Sequence, residues 1–104
     1  MKVRFKLTEG SNKTGVAVLE PTTHPKSGEA WTVDMDGQRA GVLRRWEKRE
    51  TTAHVTPTSG TFSARMVTKW TAYPASASDR AYVFSSREKA LQLLRMSITP
   101  TNEG

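Results

Sequence analysis

An α+β fold is predicted: an antiparallel sheet of five to seven hairpin-connected strands with one C-terminal helix packed on one face. Three features of the sequence predict it. Alternating apolar and polar residues recur along most of the chain, as in half-buried strands. Asp36-Gly37 stands between two such stretches and marks a tight hairpin, because both turn positions tolerate positive φ. Ser85-Ser86-Arg87-Glu88 opens a run whose apolar residues recur at helical spacing.

The elements follow in order. Lys2 to Thr8 alternates strictly, with Val3, Phe5 and Leu7 on one side and Lys2, Arg4, Lys6 and Thr8 on the other. Glu9 to Asn12 is a turn cluster, and Thr14 to Glu20 returns as a second strand. Pro21 to Gly28 reads as a loop, because its two prolines deny ladder hydrogen bonds. Trp31 to Met35 and Gln38 to Trp46 flank the Asp36-Gly37 turn. A two-residue loop places Val33 opposite Ala40, Trp31 opposite Val42 and Asp34 opposite Arg39, the last an opposite-charge pair. A four-residue loop would change these pairs.

Glu47 to Glu50 reads as a charged break and Thr51 to Thr56 as a short β-prone piece, followed by a turn at Pro57 to Gly60. Thr61 to Tyr73 is a long strand. Phe62, Ala64, Met66, Thr68, Trp70 and Ala72 take one face; Ser63, Arg65, Val67, Lys69, Thr71 and Tyr73 take the other. A hairpin loop at Pro74 to Asp79 leads back through Arg80 to Phe84. The helix is expected from Ser85, with Ser85 and Glu88 as a capping box and a stripe of Ala90, Leu91, Leu94 and Ile98. Glu88, Lys89, Gln92 and Arg95 face water, and Thr99-Pro100 stops the helix. Residues 1–104 form one domain, with 99–104 a flexible tail. A helix ~10 Å across covers about three strands spaced ~4.8 Å apart, so the sheet must curl or keep a face for a partner.

Composition narrows the function. With 104 residues the chain buries about two-thirds of its unfolded surface. It has no cysteine, which excludes disulfides and thiolate metal sites and suits a reducing, cytoplasmic setting. No stretch approaches the ~20 apolar residues that span a bilayer, so no membrane role is expected. Sixteen Lys and Arg against ten Asp and Glu give +6, with a pI of 10.1, a balance that points to a polyanionic partner.

No residues converge on catalysis, a cofactor or a metal. His24 sits in a Pro-rich loop and His54 in a β-prone piece, Asp34 and Asp36 read as hairpin chemistry, and no Gly-rich loop cradles phosphate. The chain is therefore expected not to be an enzyme. Two basic clusters stand out. Arg39, Arg44, Arg45, Lys48 and Arg49 surround Trp46 and are relieved only by Glu47, although adjacent Arg44 and Arg45 must point to opposite faces. Arg65, Lys69 and Tyr73 share a strand face, and Arg80 and Tyr82 join them if the hairpin register allows. Such groups neutralise phosphates and stack on bases, and a two-stranded ribbon fits the major groove.

Ala40-Gly41-Val42-Leu43-Arg44-Arg45-Trp46, Lys69-Trp70-Thr71-Ala72 and Phe84-Ser85-Ser86-Arg87-Glu88-Lys89-Ala90 resemble the DNA-binding domain of ethylene-response factors and the arm-binding domain of phage tyrosine integrases. In general appearance the chain is also similar to small proteins of bacteriophage genomes. Those DNA-binding families lay a three-stranded sheet, backed by a helix, in the major groove. The resemblance implies Arg44 or Arg45, Arg65, Lys69 and Arg80 as DNA contacts, and Trp70, Ala72, Phe84, Ala90 and Leu94 as sheet–helix core. It covers about half the chain, which differs by the Glu47 to Thr68 insertion and an extra N-terminal segment.

The expected function is a non-enzymatic module that binds duplex DNA through a basic sheet face formed by Arg39, Arg44, Arg45, Arg65, Lys69, Tyr73 and Arg80. The alternative is a protein-interaction module, including a homodimer, that uses an exposed sheet face or edge strand.

Overall fold

The computed structural model describes residues 1–8, 10, 12–56, 58, 60–77 and 79–98, with the side chains of His54 and Val55 outside that description. The expected 99–104 tail and the turn residues Pro57 and Ser59 also lie outside it. Six strands, β1 (Lys2–Lys6), β2 (Thr14–Thr22), β3 (Glu29–Met35), β4 (Gln38–Val55), β5 (Gly60–Pro74) and β6 (Tyr82–Phe84), pair antiparallel in sequence order. The sheet curls into a half-barrel, and one helix, α1 (Arg87–Ser97), follows.

The helix occupies the open side of the half-barrel. Its apolar stripe, Ala90, Leu91 and Leu94, is buried against Val3, Phe5, Ala17, Leu19, Val33, Leu43 and Ala72, all on the inner face of the strands. Trp31 and Trp70 stack at 6.1 Å between ring centroids and pack against that core. The helix also ties to the sheet at the end of β1 and at the β3–β4 hairpin. The Lys6 backbone N–H donates to Glu88 Oε2 at 3.1 Å, and the Gln92 amide donates to the Lys6 carbonyl at 2.9 Å. Arg95 pairs with Asp36 at 3.2 Å, which joins the last turn of the helix to the β3–β4 hairpin. Gln92 and Arg95 thus do more than face water.

Several expectations are corrected. The helix begins at Arg87, not Ser85; Ser86 is its N-cap and makes no side-chain capping bond. Glu88 does not close a capping box, because its carboxylate is held by the end of β1. β1 stops at Lys6 and β6 starts at Tyr82. The backbone at Arg80 is instead in a turn, donating to the Ala77 carbonyl at 2.9 Å.

β2 continues through Pro21, which pairs with Trp31. The Leu19 N–H and C=O bond to Met1, so the Pro21 nitrogen two residues on points to that same side, away from β3 and beyond the β1–β2 pairing of the described residues. The missing N–H of Pro21 therefore costs no ladder bond.

The β3–β4 turn is the expected two-residue one, with φ of 52° at Asp36 and 75° at Gly37. Asp34 lies opposite Arg39, with a 2.6 Å contact between them. Beyond that pair a bulge adds one residue to β4, so Val33 pairs with Gly41 rather than Ala40, and Trp31 with Leu43 rather than Val42. The extra residue keeps both Ala40 and Leu43 inward, and both are fully buried.

The largest departure concerns Glu47 to Glu50. No break occurs there. β4 runs unbroken to Val55 and pairs with β5 from Gly41↔Pro74 to Val55↔Gly60. The β3 pairing ends at Glu29↔Arg45 and the β6 pairing at Trp70↔Phe84. Residues 46–55 and 60–69 therefore pair only with each other, and ten residues at ~3.3 Å make an arm about 30 Å long. The longest dimension of the molecule is 67 Å and its radius of gyration 17.4 Å, against about 13 Å for a compact chain of this length.

Candidate interaction surface

The two faces of β4 and β5 follow from strand alternation and the β4–β5 pairing register. The inner face carries Leu43, Arg45, Glu47, Arg49 and Thr51 on β4 and Ala72, Trp70, Thr68, Met66, Ala64 and Phe62 on β5. The outer face carries Arg44, Trp46, Lys48 and Glu50, with Tyr73, Thr71, Lys69, Val67 and Arg65. The expected assignment of β5 residues to two faces holds, including the shared face of Arg65, Lys69 and Tyr73. Arg44 and Arg45 do point to opposite faces. Tyr82 pairs with Ala72, which puts it on the helix side, away from Tyr73. Arg80 precedes β6 and lines a depression with Pro74, Ser76, Leu93 and Met96, so it does not join Lys69 either.

On the sheet body the outer face is partly covered by the β2–β3 loop. The His24 ring lies 4.8 Å from that of Tyr73. Arg44, only 7% exposed, donates from Nε to the Ser27 carbonyl at 2.8 Å, and its guanidinium sits 5.1 Å from the Trp46 ring centroid. The Trp46 indole N–H donates to Thr71 Oγ1 at 2.8 Å, and Thr71 is itself buried. Trp46 thus belongs to a small outer-face cluster. Desolvation first, then the charges of Arg44 and Lys26, hold the His24 pKa below its ordinary value. The neutral ring accepts the Lys26 backbone N–H at Nδ1, 3.1 Å away.

Most of the remaining cations of the expected DNA surface have partners. Arg39 meets Asp34, Arg45 meets Glu29 at 3.3 Å, and Arg65 meets Glu50 at 3.5 Å across the arm. Lys69 donates to Ser85 Oγ at 3.4 Å. These contacts are exposed and individually weak, and they lower the local positive field more than they stabilise the fold. Among the described residues, no group of three or more His, Cys, Asp or Glu side chains is placed to hold a metal, and no helix is long and apolar enough to cross a membrane.

The surface that sequence reading missed is the arm. Phe62 is 77% exposed and Met66 59% exposed, with Ala64 between them on the inner face, beyond the reach of the helix. Among the described residues the arm also presents two free strand edges, because neither β3 nor β6 extends along it. The β1 edge differs. It is five residues long, shows Lys2, Arg4 and Lys6 on its outward side, and has its last backbone groups clasped by α1. Short length, positive charge and helix cover are the usual protections of a sheet edge, and the β5 side of the arm has only Arg65 and Lys69. Comparison of the chain with family models, with curated proteins and with solved structures finds no match.

Proposed function

We propose that the chain is a non-enzymatic protein-interaction module that docks through the β4–β5 arm. One observation carries this reading: among the described residues, a ribbon about 30 Å long has both edges unpaired, and Phe62 and Met66 are exposed on it. A two-stranded hairpin alone is marginally stable in water, and an exposed edge is a template for strand addition. The arm gains most of its missing cover when another polypeptide supplies a strand and an apolar face. The cysteine-free sequence fits a reducing compartment such as the cytoplasm.

Photo-crosslinking tests this. Benzoylphenylalanine placed at Phe62 is expected to give a discrete protein adduct on irradiation in the producing cell. The same group at Val16, also exposed but on β2, is expected to give none. Equal labelling from both sites, or no protein adduct from position 62, would remove the arm as a docking element.

A second reading is favoured by one observation. Lys48 and Arg49, on opposite faces of the arm, hold no ion pair among the described residues, and a two-stranded ribbon fits the major groove. On this reading the arm and the Arg65–Lys69–Tyr73 face grip duplex DNA. Binding to a DNA duplex that falls steeply with salt, and that weakens when Arg65 and Lys69 become Ala, would move the assignment to it.

A further inference from the structure

Resting on the docking reading above, we propose that the occupant of the β5 edge is a second copy of this chain, paired antiparallel about a twofold axis at Ala64. Three observations on β5 support this. The first is the pattern Phe62-Ser63-Ala64-Arg65-Met66. In an antiparallel pair centred on Ala64, Phe62 of each copy lies opposite Met66 of the other, and Ala64 opposite Ala64. All of these are on the inner face, so directly opposed side chains meet on one side of a four-stranded sheet. Phe62 and Met66, the two bulky apolar side chains that the described part of the arm leaves exposed, are the two that this register brings together.

The second observation is length. The free edge of β5 runs from Gly60 to Lys69 and stops where Trp70 pairs with Phe84. Centring on Ala64 pairs Gly60 with Thr68 of the other copy and uses nearly all of that edge. Each partner's arm tip ends beside β6, and the two sheet bodies stand at opposite ends of the joint sheet. The third is charge. Arg65 falls opposite Ser63 rather than another cation, and each Arg65 already holds Glu50 of its own β4. The β4 edge carries the run Glu47-Lys48-Arg49-Glu50 and is the blunter of the two.

Surface area agrees. The chain exposes 7239 Å², whereas a folded monomer of 11.6 kDa exposes about 5,800 Å². The surplus exceeds the ~800 Å² that each partner buries in a standard interface.

The absence of native cysteine makes the test direct, since an introduced cysteine is the only thiol in the chain. In a glutathione redox buffer, Ala64→Cys is expected to form a disulfide dimer, because directly opposed Cβ atoms are about 5 Å apart. Thr51→Cys lies at the same height on β4, three strand spacings or about 14 Å from its counterpart, and is expected to stay monomeric. Sedimentation equilibrium of the unmodified chain is expected to show a monomer–dimer equilibrium. Met66→Lys, which sets an ammonium against Phe62 twice in the symmetric pair, is expected to raise its dissociation constant about tenfold.

A chain that sediments as a monomer at 100 µM (roughly the weak end of specific association) and gives no Ala64→Cys disulfide overturns self-pairing. Efficient Thr51→Cys or Ser63→Cys crosslinking overturns this register. If the chain is monomeric while position 62 still crosslinks to a different protein, self-pairing fails and the docking reading stands. If neither occurs, both fail.

Discussion

Gly41→Ala is expected to lower the thermal midpoint by about 12 °C or more, the largest effect of any single small substitution considered for this fold. Gly41 sits at the β3–β4 bulge with φ of 154°, a conformation that residues with a Cβ rarely adopt. A Cβ built there would lie on the Tyr73 carbonyl oxygen, 2.9 Å from Leu94 Cδ2 and 3.1 Å from the Ala75 backbone nitrogen. Two of the three obstacles are backbone, so rotamer changes cannot clear them. Overpacking typically costs ~1–3 kcal/mol and forced backbone strain a similar amount, which gives roughly 3 kcal/mol or more. Circular dichroism melts at one fixed protein concentration measure it. A shift under about 3 °C would mean that β4 and β5 separate at the bulge without penalty, contrary to the packing described here.

Leu94→Ala is expected to cost about 2–5 kcal/mol. Leu94 is fully buried, lies over Gly41 and belongs to the stripe by which α1 closes the half-barrel. Truncation leaves a void between helix and sheet that α1 cannot readily fill, because its flanks are tied at Lys6 and Asp36. Leu94→Met keeps the volume and is expected to cost less than ~1.5 kcal/mol. Denaturant unfolding distinguishes the two. Equal losses would indicate that the helix is not seated as described.

Much of this fold is legible in the sequence because local patterns and tertiary demands coincide. Val3 and Phe5 alternate with lysine and arginine, Asp36-Gly37 fits a turn that needs two positive φ angles, and Ala90, Leu91 and Leu94 share a helical stripe; each is buried or turned as its pattern implies. The bulge is not legible, since an added residue in β4 leaves no mark when Ala40, Gly41, Val42 and Leu43 are all compatible with burial. Pro21 misleads for a related reason. Its fitness for a strand depends on whether a neighbour stands on its nitrogen side, and that is a property of topology.

The arm escapes sequence reading for the opposite reason. Beyond Trp46 no core exists to impose apolar alternation, so Glu47-Lys48-Arg49-Glu50 looks like an interruption when it is a ribbon solvated on both faces. The signal that could have found it is β5 itself. A strand of fifteen residues needs a partner of similar length, and β4 is long enough only if it continues through that charged run. The basic residues illustrate a further limit. Arg44 reads as a surface cation, yet the Ser27 carbonyl and the Trp46 ring hold it inside the outer-face cluster. Nothing in the linear order brings the β2–β3 loop over that position.

Among the described residues the arm is uncovered by its own chain, and on the proposed docking reading a partner covers it. Site-resolved amide hydrogen exchange across a dilution series tests this central claim most directly. In dilute solution the amides of residues 47–53 and 61–68 are expected to exchange about 100-fold faster than those of Leu43, Ala72 and Leu91, and to slow selectively as the concentration of the chain or of its crosslinked partner rises. Arm amides as slow as the core in dilute solution, or unchanged under every condition of association, would mean that the arm is neither open in the free chain nor a docking element.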